Sequence, residues 1–320
     1  MKSLGTDRER EVTVMANTLV VGVTFVDVKG FCHASYDPRG RNLGSVKIVH
    51  GGVSRNVVEN FANVGMPVSF LSMTEDSAIS LDVERHLTEA GADLSHTVRA
   101  KENGIGMWLV ILDENGDLCG SISRMPDLDL LEEYIRREGE KIIAECENVV
   151  LEIDLNERIA AMILDFAEKY HKKVYSIVGN MSVILAHKEF LQRTNCFICN
   201  EVEASKLFSC DVKRYSPREM VDFLPKAANA MQIPAMVITM GEQGSVYYDS
   251  KTGECGVCTP YPTNVVDTSG AGDAFFSGTV MALTRNLPLH KAVQFGARLA
   301  SMTIAHTESS CPVCSDFFVE

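Results

Sequence analysis

Short apolar runs of strand length alternate with longer segments of helical spacing, and this alternation limits the possible folds more than any other feature. The run 18–28 (TLVVGVTFVDV) reads as a strand. Residues 53–65 read as a helix, with Val53, Val57, Phe61 and Val64 on one face and Gly65 as its stop. A strand at 67–72 and a helix at 77–91, closed by Gly91, follow. After a break the order resumes with helix 128–146, strand 148–153, helix 156–171, strand 173–178, a helix near 181–192 and a strand at 196–199. Helix 216–231, strands near 235–240, 244–249 and 254–259, and helices at 271–285 and 289–305 close the series. Such a chain is expected to be α/β, with a mainly parallel sheet covered by helices on both faces. Two stretches break the pattern: 104–112 and 117–123 flank a turn at Asp113–Gly116, and 29–50 is polar. They are expected to form a small antiparallel β lid, from about 29–50 and 103–125, on a single domain spanning 1–320. Residues 1–16 are expected to be a poorly ordered extension.

Composition narrows the function classes. With 43 acidic and 30 basic residues the net charge is −13, which disfavours nucleic acid as a partner. No apolar run nears the ~18 residues of a membrane span, and the first residues are charged where a signal peptide is apolar. A cytoplasmic protein without a membrane partner is expected. Any phosphate it handles must be held by backbone amides, a metal ion and a few side chains. Six of the ten cysteines form CxxC pairs at 196/199, 255/258 and 311/314. The pairs lie roughly 50 residues apart, far from zinc-ribbon spacing, and free thiols are the expectation.

The most informative local segment is 267–273, DTSGAGD, with AFFSGTVMAL behind it. Gly270 and Gly272 permit a tight turn whose N–H groups face one point, and the following helix adds its positive end. This is an anion cradle. Asp273 inside it is expected to stay ionised beside a helix N-terminus and to act as a base for a hydroxyl proton. A lone GxGD would equally suit a helix cap; the whole string favours a site. Gly51 and Gly52 let a loop hinge or pass close to a ligand, and Asn56 on the next helical turn both donates and accepts. Asp27, ending the first strand, stands either at a ligand-binding sheet edge or as a loop cap.

These motifs resemble the ribokinase-like (PfkB) carbohydrate kinase family. DTSGAGD is similar to its C-terminal signature and HGGVSRNVVENFANVG (50–65) to its N-terminal one, and the likeness runs from 18 to about 316. The resemblance implies that Asp273 deprotonates the acceptor hydroxyl that attacks the γ-phosphate of ATP, with the amides of Gly270, Ala271 and Gly272 as anion hole. It implies that Asp27, Gly51, Gly52 and Asn56 bind the acceptor. Asn200 and Glu203 match an NxxE motif whose glutamate orients hydrated Mg²⁺. Thr239, Gly241 and Gly244, in VITMGEQGSVYY, match the strand–turn–strand beside the nucleotide. Asp267 and Ser269 match positions that bind K⁺ in many members. Ala297 stands where some relatives carry an asparagine against adenine.

No GxxxxGK[ST], GxSxG or HExxH occurs, and no GxGxxG follows the first strand. The alternatives left are a sugar kinase of ribose or fructose type, and a non-catalytic nucleoside or sugar sensor on the same fold. The acceptor reading comes from VDVKGFCH (26–33), which resembles the pseudouridine kinase branch. Phe31 offers a face to a base and His33 a hydrogen bond, which places the pseudouridine 5′-hydroxyl first. Apolar residues on both faces of the hairpin suggest a homodimer through the lid.

Overall fold

The computed structural model describes residues 17–318; the expected extension over 1–16 lies outside them. Nine strands form the main sheet. In chain order they are β1 (Thr18–Val21), β4 (Val68–Glu75), β5 (Thr97–Ala100), β8 (Asn148–Glu152), β9 (Lys173–Ile177), β10 (Cys196–Asn200), β11 (Ala235–Thr239), β12 (Ser245–Asp249) and β13 (Glu254–Cys258). Their spatial order is β13-β12-β11-β10-β9-β8-β1-β4-β5. All neighbours are parallel except at the β11–β12–β13 edge. The chain runs outward from β1 through β4 to β5, then returns to β8 on the other side of β1. That reversal opens a crevice beyond the C-terminal ends of β1 and β8, where sheets of this kind bind ligands.

Alternation along the strands divides the core in two. Leu19, Val21, Leu71 and Met73 face one cluster; Val20, Phe70 and Val150 face the other. The first is covered by α5 (Glu157–Lys169) and α8 (Pro217–Ala230), through Ile159, Ile163, Met220 and Leu224. The second is covered by α1 (Val53–Asn63), α9 (Ala271–Thr284) and α10 (Leu289–Thr303), through Val57, Phe61, Phe276 and Val293. Helix α9 is apolar nearly all round, as a helix packed on several sides must be. Cys196 and Cys199 fall in opposite clusters, because residues three apart on a strand face opposite ways.

The remaining strands, β2 (Phe25–Cys32), β3 (Gly44–Gly51), β6 (Gly106–Leu112) and β7 (Leu118–Arg124), form a second sheet in the order β3-β2-β6-β7. Its outer pairs are antiparallel, as expected of the lid. Its central pair β2–β6 is parallel, since β4, α2 (Ala78–Ala90) and β5 intervene in the chain.

Several boundaries differ from those read off the sequence. The run 18–28 is two strands, because Gly22 lies so close to Ser54 that a Cβ would sit 1.9 Å from its Oγ. There the chain leaves the main sheet, and Val23 N–H bonds to Glu152 instead of a neighbouring strand. Asp27 is therefore the third residue of the small sheet's β2, not the end of a main-sheet strand. The polar stretch 29–50 contains β3, and the helix 128–146 is interrupted by a π-helical turn, Ile135–Gly139. The segment 181–192 is one short helix, Ser182–Ala186, followed by a 3₁₀ stretch. Among the described residues no helix is long and apolar enough to cross a membrane.

Candidate active site

The N-terminus of α9 opens on the crevice. Gly270, just before it, has φ 73°, a region that disfavours side chains, and its Cα rests against the Ser309 carbonyl, which an added Cβ would approach to 1.9 Å. Ala271 N–H turns back to the Thr268 carbonyl at 3.2 Å. Of the three amides expected to form the anion hole, Ala271's is thus engaged. Those of Gly270 and Gly272, joined by Asp273's own, make no hydrogen bond among the described residues. A Cβ on Gly272 would meet nothing within 4 Å. Packing does not demand a glycine there, and the open space beside the free amides has room for an anion.

Asp273 lies on the first turn of α9 and Asn56 on that of α1, the helix that follows β3. Asn56 Nδ2 donates to Asp273 Oδ2 at 2.6 Å, joining two expected site residues 217 apart in the chain. The Asp273 side chain keeps some exposure, yet protein atoms crowd its carboxyl. This burial raises its pKa to about 6, against the Asn56 bond and the charge of Arg55. Desolvation thus works against the pull of the helix terminus. The group is a carboxylate at neutral pH and takes up a proton near pH 6, a suitable affinity for a general base.

Glu152 closes the floor at the switch point. It ends β8, accepts from Ser54 Oγ at 2.7 Å and Val23 N at 3.2 Å, and burial lifts it to about 7. Asp154, two residues on, accepts from the backbone N–H groups of Met181, Val183 and Ile184. Neither was singled out in the sequence, nor was Arg55, although polar residues after the apolar run VVL and on the buried face of a helix were the available signal.

Among the residues expected at the acceptor, Gly51 and Gly52 join β3 to α1. Gly52 caps α1 at φ 98°, and a Cβ on Gly51 would lie 3.0 Å from Asp27 Oδ1. The half-buried Asp27 carboxylate makes no hydrogen bond among the described residues, and desolvation raises its pKa despite Lys29 and Arg55. Trp108 is its register partner on β6, so the two side chains leave the same face side by side. His33 lies just past the end of β2, six residues after Asp27. It is exposed.

The other half is a cavity of about 810 Å³ lined by Asn200, Thr239, Gly241 and Gly244 together with Ala271 and Gly272. All four residues expected at the nucleotide share one wall with the cradle. Asn200 and Glu203 form a capping box on the helix Glu201–Phe208: Glu203 Oε2 accepts from Asn200 N at 2.8 Å, and Oε1 bonds to nothing among the described residues. Burial raises the Glu203 pKa. No group of three or more His, Cys, Asp or Glu suited to a metal occurs among the described residues. A divalent ion held through its own waters by one free carboxylate oxygen fits this donor set. Asp267, before the cradle, accepts from Ser269 N at 2.8 Å, and that N–H holds its carboxyl below the usual range.

The model of the pfkB family carbohydrate kinases matches residues 15–313. The chain belongs to this family. It is 32% identical to the guanosine-inosine kinase of Exiguobacterium acetylicum, over 92% of this chain and 96% of that one. It is 26% identical to the pseudouridine kinase of Escherichia coli, over 93% and 92%. Among solved structures, a carbohydrate kinase from Agrobacterium tumefaciens superposes with TM-score 0.79 at 20% identity, covering 95% of each chain. The Arabidopsis thaliana ribokinase complexed with ribose and ATP gives 0.78 at 18%, covering 94% and 97%. This pfkB-family member is thus a sugar or nucleoside kinase with the ribokinase-like fold: a large mainly parallel sheet, flanking helices and a small second sheet.

Proposed function

We propose that the protein transfers the γ-phosphate of ATP to the 5′-hydroxyl of a ribonucleoside. The Asn56–Asp273 hydrogen bond carries the reading, because it sets a base of suitable pKa between the amide cradle and the Asp27 side of the site. Asp273 removes the hydroxyl proton as the oxygen forms its bond to the γ-phosphorus. The bond to the bridging oxygen breaks and ADP leaves. The amides of Gly270, Gly272 and Asp273 stabilise the charge on the transferring group. Asn200, Thr239, Gly241 and Gly244 line the nucleotide side. Glu203 would hold hydrated Mg²⁺, which would neutralise phosphate charge, and Asp267 with Ser269 would offer a place for K⁺.

Asp27 and Asn56 grip the ribose, with Gly51 and Gly52 as the hinge of the small sheet acting as lid. Trp108 beside Asp27 gives a base a stacking face, in place of the Phe31 and His33 of the sequence-based reading. A free sugar would leave that ring uncovered. Similarity to the guanosine-inosine kinase puts inosine and guanosine first and pseudouridine next. The test is ADP release with ATP on inosine, guanosine, pseudouridine, ribose and fructose side by side. Turnover of nucleosides above both sugars is expected; turnover of ribose or fructose alone contradicts the nucleoside reading, and none on any acceptor favours a sensor. Asp27→Ala removes a charge-assisted contact worth on the order of 1.5–3 kcal/mol and should weaken the acceptor tenfold or more, sparing ATP. Equal loss of both ligands would point to misfolding.

The outer face of the lid carries Val46, Ile48, Leu109 and Ile122, all exposed. They alternate with residues turned inward, such as Val110, which is buried. We read this face as self-complementary and the protein as a homodimer through it. Light scattering at micromolar protein should give twice the chain mass, and Ile48→Glu with Ile122→Glu should halve it. A wild-type monomer would refute the assembly.

A further inference from the structure

Arg55, on the first turn of α1, is 2% exposed and lies between the two halves of the site. Its Nη1 pairs with Glu59 one turn on. Its Nη2 reaches three acceptors: the His50 carbonyl at 3.0 Å, Ser309 Oγ at 3.0 Å and Asn56 Oδ1. Ser309 Oγ in turn lies 3.3 Å from the His50 carbonyl and 3.2 Å from Asn56 Oδ1. A buried charge whose Nη1 and Nη2 are both engaged while its Nε has no partner among the described residues is costly to assemble, so its contacts warrant a functional question.

Each contact bears on the reaction. The two ends of the Asn56 amide are opposite in kind, and only the Nδ2 end suits the Asp273 carboxylate. With the guanidinium on Oδ1, the amide is pinned in that sense; a flipped amide would set oxygen against carboxylate and N–H against guanidinium. His50 directly precedes Gly51 at the end of β3, so the same guanidinium holds the root of the small sheet. Ser309 presents its carbonyl to Gly270, the first residue of the cradle. Behind Arg55, His86 Nε2 lies 2.7 Å from Glu59 Oε1. Despite burial, the His86 bond and the Arg55 charge pull Glu59 down to about 2.

We propose that Arg55 is a positioning residue for phosphoryl transfer: it fixes which end of the Asn56 amide meets Asp273 and ties the root of the small sheet to the Ser309 loop on the phosphate cradle. The acceptor hydroxyl, the base and the cradle are thereby kept in one register. The inference rests on Asp273 as base, which Asp273→Asn tests separately.

The experiment is a double-mutant cycle of Arg55→Lys with Asn56→Ala, using ATP and inosine, with Arg55→Met as a second variant. Lysine keeps the charge and loses the planar fork. Arg55→Lys should lower kcat roughly 10²-fold by misalignment, with KM for ATP within about 3-fold of wild type. Arg55→Met should fall further, so that lysine appears as a partial rescue. In the Asn56→Ala background, where there is no amide left to orient, Arg55→Lys should cost no more than about tenfold. An equal cost in both backgrounds overturns the proposal, as does a kcat for Arg55→Lys within about 3-fold of wild type. A parallel loss of ATP binding, melting temperature and kcat also overturns it, since that pattern marks a purely structural residue. If Arg55→Met does not fold, the lysine cycle decides alone. If wild type phosphorylates another acceptor instead of inosine, the acceptor reading fails and the same cycle is measured on that acceptor.

Discussion

Asp273→Asn is expected to lower kcat roughly 10²–10⁴-fold while folding and ATP binding persist. Asparagine retains an oxygen for the 2.6 Å bond from Asn56, and the cradle is backbone, so only the proton acceptor is lost. The pH profile gives the same residue a second signature. Burial raises the Asp273 pKa to about 6, so the base is ionised above that pH and is lost as pH falls through it. Wild-type kcat/KM should therefore decline below about pH 6, and the residual rate of Asp273→Asn should lack that limb. Near-normal turnover of the variant would remove Asp273 from the mechanism.

The two glycines of the cradle should separate stability from catalysis. Gly270→Ala places a side chain at φ 73° and drives it into the Ser309 carbonyl. The left-handed conformation costs about 1–2 kcal/mol and overpacking a further 1–3 kcal/mol, so the melting temperature should fall by several degrees along with activity. Gly272→Ala meets no atom within 4 Å and suits a helical first turn, so the melting temperature should hold. Its methyl group enters the space assigned to the transferring phosphate, and kcat/KM should fall roughly 10²-fold. Calorimetry with steady-state kinetics on both variants checks this. Full activity in Gly272→Ala would mean that the phosphate does not pass there.

The parallel sheet and its helices were legible because each element carries a local signal: period-two or continuous apolar strands, 3.6-residue helices, glycine stops. The cradle was legible because turn, helix start and aspartate are contiguous in DTSGAGD. What the sequence hid depends on long-range packing. The break at Gly22 exists because Ser54 and Glu152 crowd it, which no local pattern announces, and so Asp27 moved from a main-sheet edge to the small sheet. Strand β3 falls inside the stretch 29–50 expected in the lid, but its bounds were not legible because Val46, Ile48 and Val49 are few among polar neighbours. Arg55 and Glu152 were missed for the same reason. Their meaning lies in partners 254 and 98 to 129 residues away. The rise in the Asp273 pKa was not legible, because helix polarity can be read from order alone, whereas desolvation needs the surrounding atoms.

The most direct measurement is the phosphorus NMR spectrum of the product formed from ATP and inosine by the wild-type protein. A nucleoside 5′-monophosphate, its phosphorus coupled to the two 5′ protons and formed in step with ADP, is the predicted result. Phosphate on a secondary hydroxyl, or hydrolysis of ATP to free phosphate with inosine unchanged, would contradict transfer to the nucleoside 5′-hydroxyl by the Asn56–Asp273 pair.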